Sequence, residues 1–558
     1  MTRRWGEETV SGAARHHPGV QPVRGGASTG RPTTLRNSHS AKLLPVLLCT
    51  FLAGCGEEET PSVSTEGSTP SESVPANATP HPNLLESSRF NTASVRTTGR
   101  VIVRDGPDAA TERMGLIARD TRLKPLSLNK GPGCEQGWVE IDADRWVCGK
   151  NLEPDERAPE ATEYPAVEEG QVIPAVYGNV LNSNAVVYAS IAAIKKGQSS
   201  RQLSGHTVVL RVEETDVDGR LFWKIASGEY ILASDLKPYK PSDFHGVFLG
   251  KGIDLPLVFI MPGANFEKPA IESPNIVPLA AGRGIARVLE KVPLGKAASG
   301  QTPPYKFRIG ENDWVSGSLI RFAQEVPAPE DIQPDERWVD INLKQQVLVA
   351  YEGFQPVYAT LISSGRLDPT PRGIFRIYLK YGETSMGSEM GDDRPYLIEN
   401  VPWTQFFQAG IALHCAFWHN GFGYPRSRGC VNLAPIDARF VYNWATPQPP
   451  LGWTSLHAYV DHPGTLVRVW QDEAEPLYYY GYARDVAKAR GVKVKGAPSL
   501  KEQMEQTKAE TLKRNGPPKP ADKPAEKVGG PPGLSPAAEG GDRLSEGDKP
   551  SGGAAPRP

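Results

Sequence analysis

Between residues 96 and 153 the apolar residues come in short alternating runs, each closed by glycine, proline or aspartate. Arg100-Val-Ile-Val-Arg104 runs into Asp105-Gly-Pro107, and Gly115–Ala118, Gly137–Ile141 and Arg145–Gly149 follow in the same manner. A period of two puts successive side chains on opposite faces, so these runs predict strands, and the turn residues between them predict a small antiparallel barrel over 91–155. With 56 glycines and 52 prolines in 558 residues, such punctuation is plentiful. Val186–Ala189, His206–Arg211 and Phe222–Ala226 predict a second unit over 165–240, and a weaker β unit occupies 241–330. Arg145-Trp-Val-Cys-Gly149, Glu229-Tyr-Ile-Leu-Ala233 and Asp313-Trp-Val-Ser-Gly317 share one pattern, which predicts an internal repeat. The chain is expected to be mainly β.

One stretch carries chemistry. His414, Cys415, Trp418, His419, Ser427, Arg428, Gly429, Cys430 and Asn432 fall within twenty positions. A cysteine attacks carbonyl carbon as its thiolate, which a nearby histidine and a cation favour. A glycine before the nucleophile lets the backbone approach a tetrahedral intermediate and aim N–H groups at its oxyanion. The competing readings are a packed cysteine with an incidental histidine, and zinc held by His414, Cys415, His419 and Cys430. Zinc is the weaker reading because paired short spacings are missing, and no metal is expected.

Ser427-Arg-Gly-Cys-Val-Asn432, with His414 upstream, resembles the catalytic motif of the YkuD-like L,D-transpeptidases, as does Thr370-Pro-Arg-Gly-Ile-Phe375. The likeness covers a β-rich domain at 336–472. It implies that Cys430 is the nucleophile and His414 the base and proton donor, with oxyanion donors on the backbone of Gly429 and Cys430. It implies supporting or substrate-side roles for Ser427, Arg428, Asn432, His419 and Trp418, and no cofactor. Arg428 departs from the usual histidine or lysine; it cannot act as a base, but can favour a thiolate or grip a carboxylate. Cys415 replaces the usual glycine or serine, and is expected either to be buried and inert or to pair with Cys430 on oxidation. The 91–155 unit resembles bacterial SH3-like modules, and 165–240 a second one.

The ends indicate a compartment. Lys42, the apolar run Leu43–Phe51 and Leu52-Ala-Gly-Cys55 resemble a lipoprotein signal over 1–55, with Cys55 lipidated. A Ser/Thr/Pro-rich flexible tether is expected over 56–90, and a mostly disordered tail over 486–558. These features imply an extracytoplasmic, periplasm-facing lipoprotein of the outer membrane, held to it through a lipid anchor. In that oxidising compartment Cys134 and Cys148 are expected to pair. A formal net charge of -2 argues against nucleic acid as a partner.

The function implied by the resemblance is acyl transfer on peptidoglycan stem peptides, through a thioester on Cys430. The acceptor is an amine of a second stem or of a wall-tethered protein. The alternatives are an L,D-carboxypeptidase or cross-link hydrolase of the same fold, and a non-catalytic wall-binding lipoprotein.

Overall fold

The computed structural model describes residues 83–182, 184–263, 267–295, 304–367, 369–388 and 396–496. Cys55 and the rest of the signal region, most of the tether and the tail beyond 496 lie outside the described residues. Strands dominate throughout.

The first β unit packs Val95, Val101, Val103, Val139 and Val147 around one core, as the alternation requires. Its boundary lies earlier than residue 91, because Phe90 is buried in that core and the Leu84 N–H bonds Leu128 O at 3.0 Å. Cys134 and Cys148 form a disulfide with Cα atoms 5.7 Å apart, packed with Trp138 and Trp146. The second unit encloses Val187, Val209, Trp223 and Ile231, and the third encloses Val258, Ala286, Phe307 and Val315. Each unit contains the same device: a strand, a single 3-10 turn and a further strand, at 145–155, 230–238 and 314–323. Those are the three segments whose sequences share a pattern.

The C-terminal domain runs β1 (Arg337–Asn342), β2 (Val347–Glu352), β3 (Gln355–Leu361), β4 (Gly373–Arg376), β5 (Leu379–Gly387) and β6 (Leu397–Gln408). It continues with β7 (Ile411–Cys415), β8 (Val431–Leu433), α1 (Pro435–Trp444), β9 (Trp453–His457), β10 (Leu466–Trp470) and α2 (Gly481–Ala489). One sheet has the order β3–β2–β1–β10–β4, with β1 and β10 parallel. The other has β9–β5–β6–β7–β8, with β7 and β8 parallel. Val339, Ile341, Leu348, Phe375, Val401, Trp403, Leu413 and Val431 fill the core they share with α1. Lys380 on β5 is buried, and its ammonium donates to the carbonyls of Tyr442, Ala445 and Pro447 at the C-terminal end of α1, at 2.5–2.8 Å.

Each upstream unit pairs a strand with this domain. Arg113–Ile117 of the first unit lies antiparallel to β9, so closely that a Cβ on Gly115 would sit 2.1 Å from Ser455 O. Thr207 and Val208 of the second unit pair in parallel with Leu397 and Ile398 of β6. Val247–Phe248 covers the outer edge of β3. Backbone groups at strand edges that would otherwise need water are thereby satisfied.

The tail also begins later than residue 486. Val486 and Ala487 of α2 are buried, and the Tyr479 N–H bonds Lys495 O at 2.9 Å. The packed face of this helix is Ala483, Val486 and Ala487, at the spacing that puts side chains on one face of a helix. No helix among the described residues is long and apolar enough to cross a membrane.

Candidate active site

The segment from 416 to 430 has three glycines, a proline and no apolar period, so it forms a loop linking the parallel strands β7 and β8. The register sets Leu413 beside Val431, His414 beside Asn432 and Cys415 beside Leu433. His414 and Cys430 consequently line one cleft of about 680 Å³, together with Trp418, Tyr396 and Ile411.

His414 is 3% exposed, and its Nδ1 lies 2.9 Å from Cys415 O. A carbonyl only accepts, so Nδ1 carries the proton and Nε2 keeps a free lone pair. Burial pulls the imidazole down to a pKa of about 4, so it is neutral at pH 7. Trp418 stacks on it, with ring centroids 5.8 Å apart. Burial also pushes the Cys430 thiol up, while the Ala412 N–H beside the sulfur acts in the other direction. Cys430 Sγ lies 3.7 Å from Gly410 O. The resting pair is thus a neutral thiol and a neutral imidazole, as suits a histidine that takes the thiol proton during attack. Burial, which penalises a charge on either group, is the dominant influence on both. The Arg428 guanidinium lies over the Tyr396 ring, 4.8 Å from its centroid.

The nucleophile loop is stitched by hydroxyls. Ser427 Oγ donates to Cys430 O at 2.5 Å and accepts the Gly429 N–H at 3.0 Å. The Gly429 N–H, expected among the oxyanion donors, is therefore engaged by Ser427. Thr370 Oγ1 donates to Gly429 O at 2.8 Å. Because the peptide is planar and trans, fixing that carbonyl turns the Cys430 N–H the opposite way. Gly429 sits at φ +153°, where a Cβ would meet Ile411 Cδ1 at 2.8 Å. Only glycine suits both demands.

His419 is a support rather than a second base. Its Nδ1 accepts the Gly421 N–H at 3.2 Å, which leaves the proton on Nε2. The Asn432 amide is placed with Nδ2 3.0 Å from Nε2 and with Oδ1 buried and unpaired. Two donors cannot share that contact, so the amide is properly turned over, with Oδ1 receiving the His419 proton. Burial, with Arg426 close by, lowers the His419 pKa to about 3. Cys415 faces the core and is a free, fully buried thiol whose pKa burial raises. It lies beside Leu433, three residues along from Cys430, or about 10 Å at strand rise. A disulfide needs Cα atoms within about 7 Å, so the expected alternative of a Cys415–Cys430 pair does not fit. Among the described residues no three His, Cys, Asp or Glu side chains group as a metal site would require.

Several supports come from far away in sequence. Arg283 of the third unit is fully buried and donates to Asn420 O at 2.7 Å, Phe422 O at 3.2 Å and Asn420 Oδ1 at 3.1 Å. Burial lowers its pKa to about 10, so it stays charged at neutral pH. Ser242 Oγ donates to Asn420 Oδ1, and Arg321 Nε donates to Gly423 O at 2.6 Å. Together these groups hold the loop that carries Trp418 and His419. Neither they nor Tyr396 carries a local signal of a site role, because their partners lie tens of residues away or more. Arg283→Met is expected to slow acylation of Cys430 about tenfold and to lower the melting temperature, since each orphaned buried acceptor costs about 1–3 kcal/mol. Acylation at the wild-type rate in stopped-flow measurements would mean that the loop holds itself.

Residues 336–469 match the family model of the L,D-transpeptidase catalytic domain, YkuD. The chain is 31% identical over 126 residues to YciB of Bacillus subtilis (strain 168), a protein provisionally named an L,D-transpeptidase. That match covers 20% of this chain and 62% of YciB, less than two thirds of its length. Among solved structures, the catalytic domain of the Enterococcus faecium L,D-transpeptidase is 21% identical, with a TM-score of 0.20, over 24% of this chain and 98% of that one. L,D-transpeptidase 3 of Mycobacterium tuberculosis, solved with a faropenem-derived adduct, is 18% identical, with a TM-score of 0.20, over 30% of this chain and 68% of that one.

Proposed function

We propose that this protein, whose residues 336–469 match the family model of the L,D-transpeptidase catalytic domain, is an extracytoplasmic L,D-transpeptidase acting on peptidoglycan stem peptides through Cys430. The observation that carries the reading is the single cleft shared by Cys430 and by His414, whose Nδ1–H is committed to Cys415 O and whose Nε2 is left basic.

In this reading the Cys430 thiol gives its proton to His414 Nε2 as Sγ attacks the carbonyl carbon of the third residue of a stem tetrapeptide. The Cys430 N–H, turned away from Gly429 O, donates to the oxyanion. Collapse expels the fourth residue as an amine, which takes the proton from His414, and a thioester remains on Sγ. An acceptor amine then attacks the thioester and gives up a proton to His414. The new amide leaves, and the thiolate recovers that proton. The acceptor is an amine of a second stem or of a wall-tethered protein. Water in its place gives the hydrolase of the same fold, and product mass separates the outcomes. No cofactor enters the scheme. A lipid anchor at Cys55 would keep the domain beside its substrate.

The test is intact-mass analysis of the purified chain after incubation with a carbapenem, beside Cys430→Ala. One covalent adduct per chain is expected on the wild type and none on the variant. Absence of an adduct under reducing conditions would favour the non-catalytic, wall-binding alternative.

A further inference from the structure

A second cavity of about 250 Å³ adjoins the thiol cleft, and the two share a wall made by Tyr396, Ile398, Trp418 and Arg428. Its far side is not part of the catalytic domain. Asn179, His206, Val208 and Tyr239 form it, and all four belong to the second β unit.

That unit is fixed in place. Besides the pairing of Thr207 and Val208 with β6, the Leu210 N–H bonds Glu399 Oε2 at 3.0 Å and Tyr177 Oη donates to Asn400 O at 2.9 Å. Tyr177 stacks on Phe417 at 4.0 Å, and Tyr239 meets the same ring at 5.8 Å. Ile173, Tyr177 and Val208 lie inside the catalytic domain's own core. The cavity is therefore preformed, and its occupant pays little to order it.

From this arrangement we infer that the cavity is a saccharide subsite, which takes an N-acetylated amino sugar of the glycan strand while the stem peptide attached to that sugar lies in the thiol cleft. The inference rests on the peptidoglycan reading above and deepens it. Three partly exposed aromatic side chains, Tyr239, Tyr396 and Trp418, line the cavity, where the C–H side of a sugar ring would pack against them. His206, Asn179 and Arg428 supply polar groups for hydroxyl, N-acetyl and carboxyl substituents. The space suits a single sugar ring better than an extended peptide. Because stem and sugar are covalently joined, occupation of both cavities by one molecule carries the benefit of linked binding. The second unit thus becomes a specificity element of the enzyme, selecting glycan-borne stems over free peptides.

Binding provides the test, using the full chain carrying Cys430→Ala and the peptide-free disaccharide of N-acetylglucosamine and N-acetylmuramic acid as the probe. Saturation-transfer NMR is expected to show saturable binding, weakened at least fivefold by His206→Ala and by Tyr239→Ala. His206 is exposed, so that variant keeps the test clear of folding defects. With Cys430 intact, kcat/KM for a disaccharide-bearing tetrapeptide should exceed that for the free tetrapeptide about tenfold, and His206→Ala should erase the difference without slowing the free peptide. No saturable sugar binding, binding indifferent to both substitutions, or a free stem peptide displacing the probe from this cavity would overturn the subsite. Sugar binding without turnover of either peptide would instead sustain the subsite and remove the transpeptidase reading.

Discussion

His414→Ala is expected to lower the rate of Cys430 acylation about a thousandfold, within the span that general bases contribute, and added imidazole should restore part of it. The resting pair is neutral, so nothing but a base at the moment of attack can remove the thiol proton. The pH dependence has a definite sign. His414 acts only when unprotonated, and its pKa is about 4. Acylation should therefore stay level from neutral pH down to about 5 and fall as pH drops through about 4. On the alkaline side, the rate is limited by a thiol that burial has pushed up. An acid limb centred near 6.5, the ordinary histidine value, would mean that His414 is solvated in the working enzyme. An unchanged rate in His414→Ala would remove it from the chemistry. Stopped-flow acylation by a chromogenic β-lactam reads both quantities.

Arg376→Met should produce the largest loss of stability. Arg376 and Asp331 are both fully buried, with Nη2 2.7 Å from Asp331 Oδ2. Arg376 Nη1 also donates to Glu336 Oε1 at 2.9 Å and to Gly464 O at 3.1 Å. Tyr479 Oη donates to Asp331 Oδ1 at 2.8 Å, and Arg490 holds Glu336 at 2.7 and 2.8 Å. One buried network therefore joins the segment before β1, strand β4, the approach to β10 and helix α2. Removing one partner of such a pair leaves an uncompensated buried charge, which costs about 3–5 kcal/mol. Calorimetry should show a clear fall in melting temperature, whereas a shift of less than one degree would mean that the network relaxes at no cost. Burial raises the Glu336 pKa, but Arg490 and Arg376 together pull it down to about 2. Its folded pKa is depressed, so its contribution is present above the ordinary carboxylate range and is lost as pH falls from about 4.5 to 2. The acid sensitivity of Arg376→Met in that window should be smaller than that of the wild type.

Both predictions concern groups that are unequally legible in the chain. His414 and Cys430 are sixteen positions apart with loop residues between them, so a local pattern reveals them. Ser427 and Gly429 are equally local: a hydroxyl two residues before a glycine that must adopt φ +153°. The strand–turn–strand repeat was visible too, because period-two alternation and turn residues act over a few positions. Arg283, Arg376 and Tyr239 carried no such signal. An arginine on a strand reads as a solvated face until the fold brings carbonyls or a carboxylate to it.

The sequence by itself determined which reactive groups a single loop would deliver, and that the chain would be built from short strands, since covalent spacing and side-chain periodicity are local properties. The tertiary structure decided the rest. It set the protonation of His414 and Cys430 through burial, separated Cys415 from Cys430 through strand register, and turned the upstream units into walls and clamps of the site. Burial and register arise from contacts between residues far apart in the chain, and their energies exist only once those residues have met.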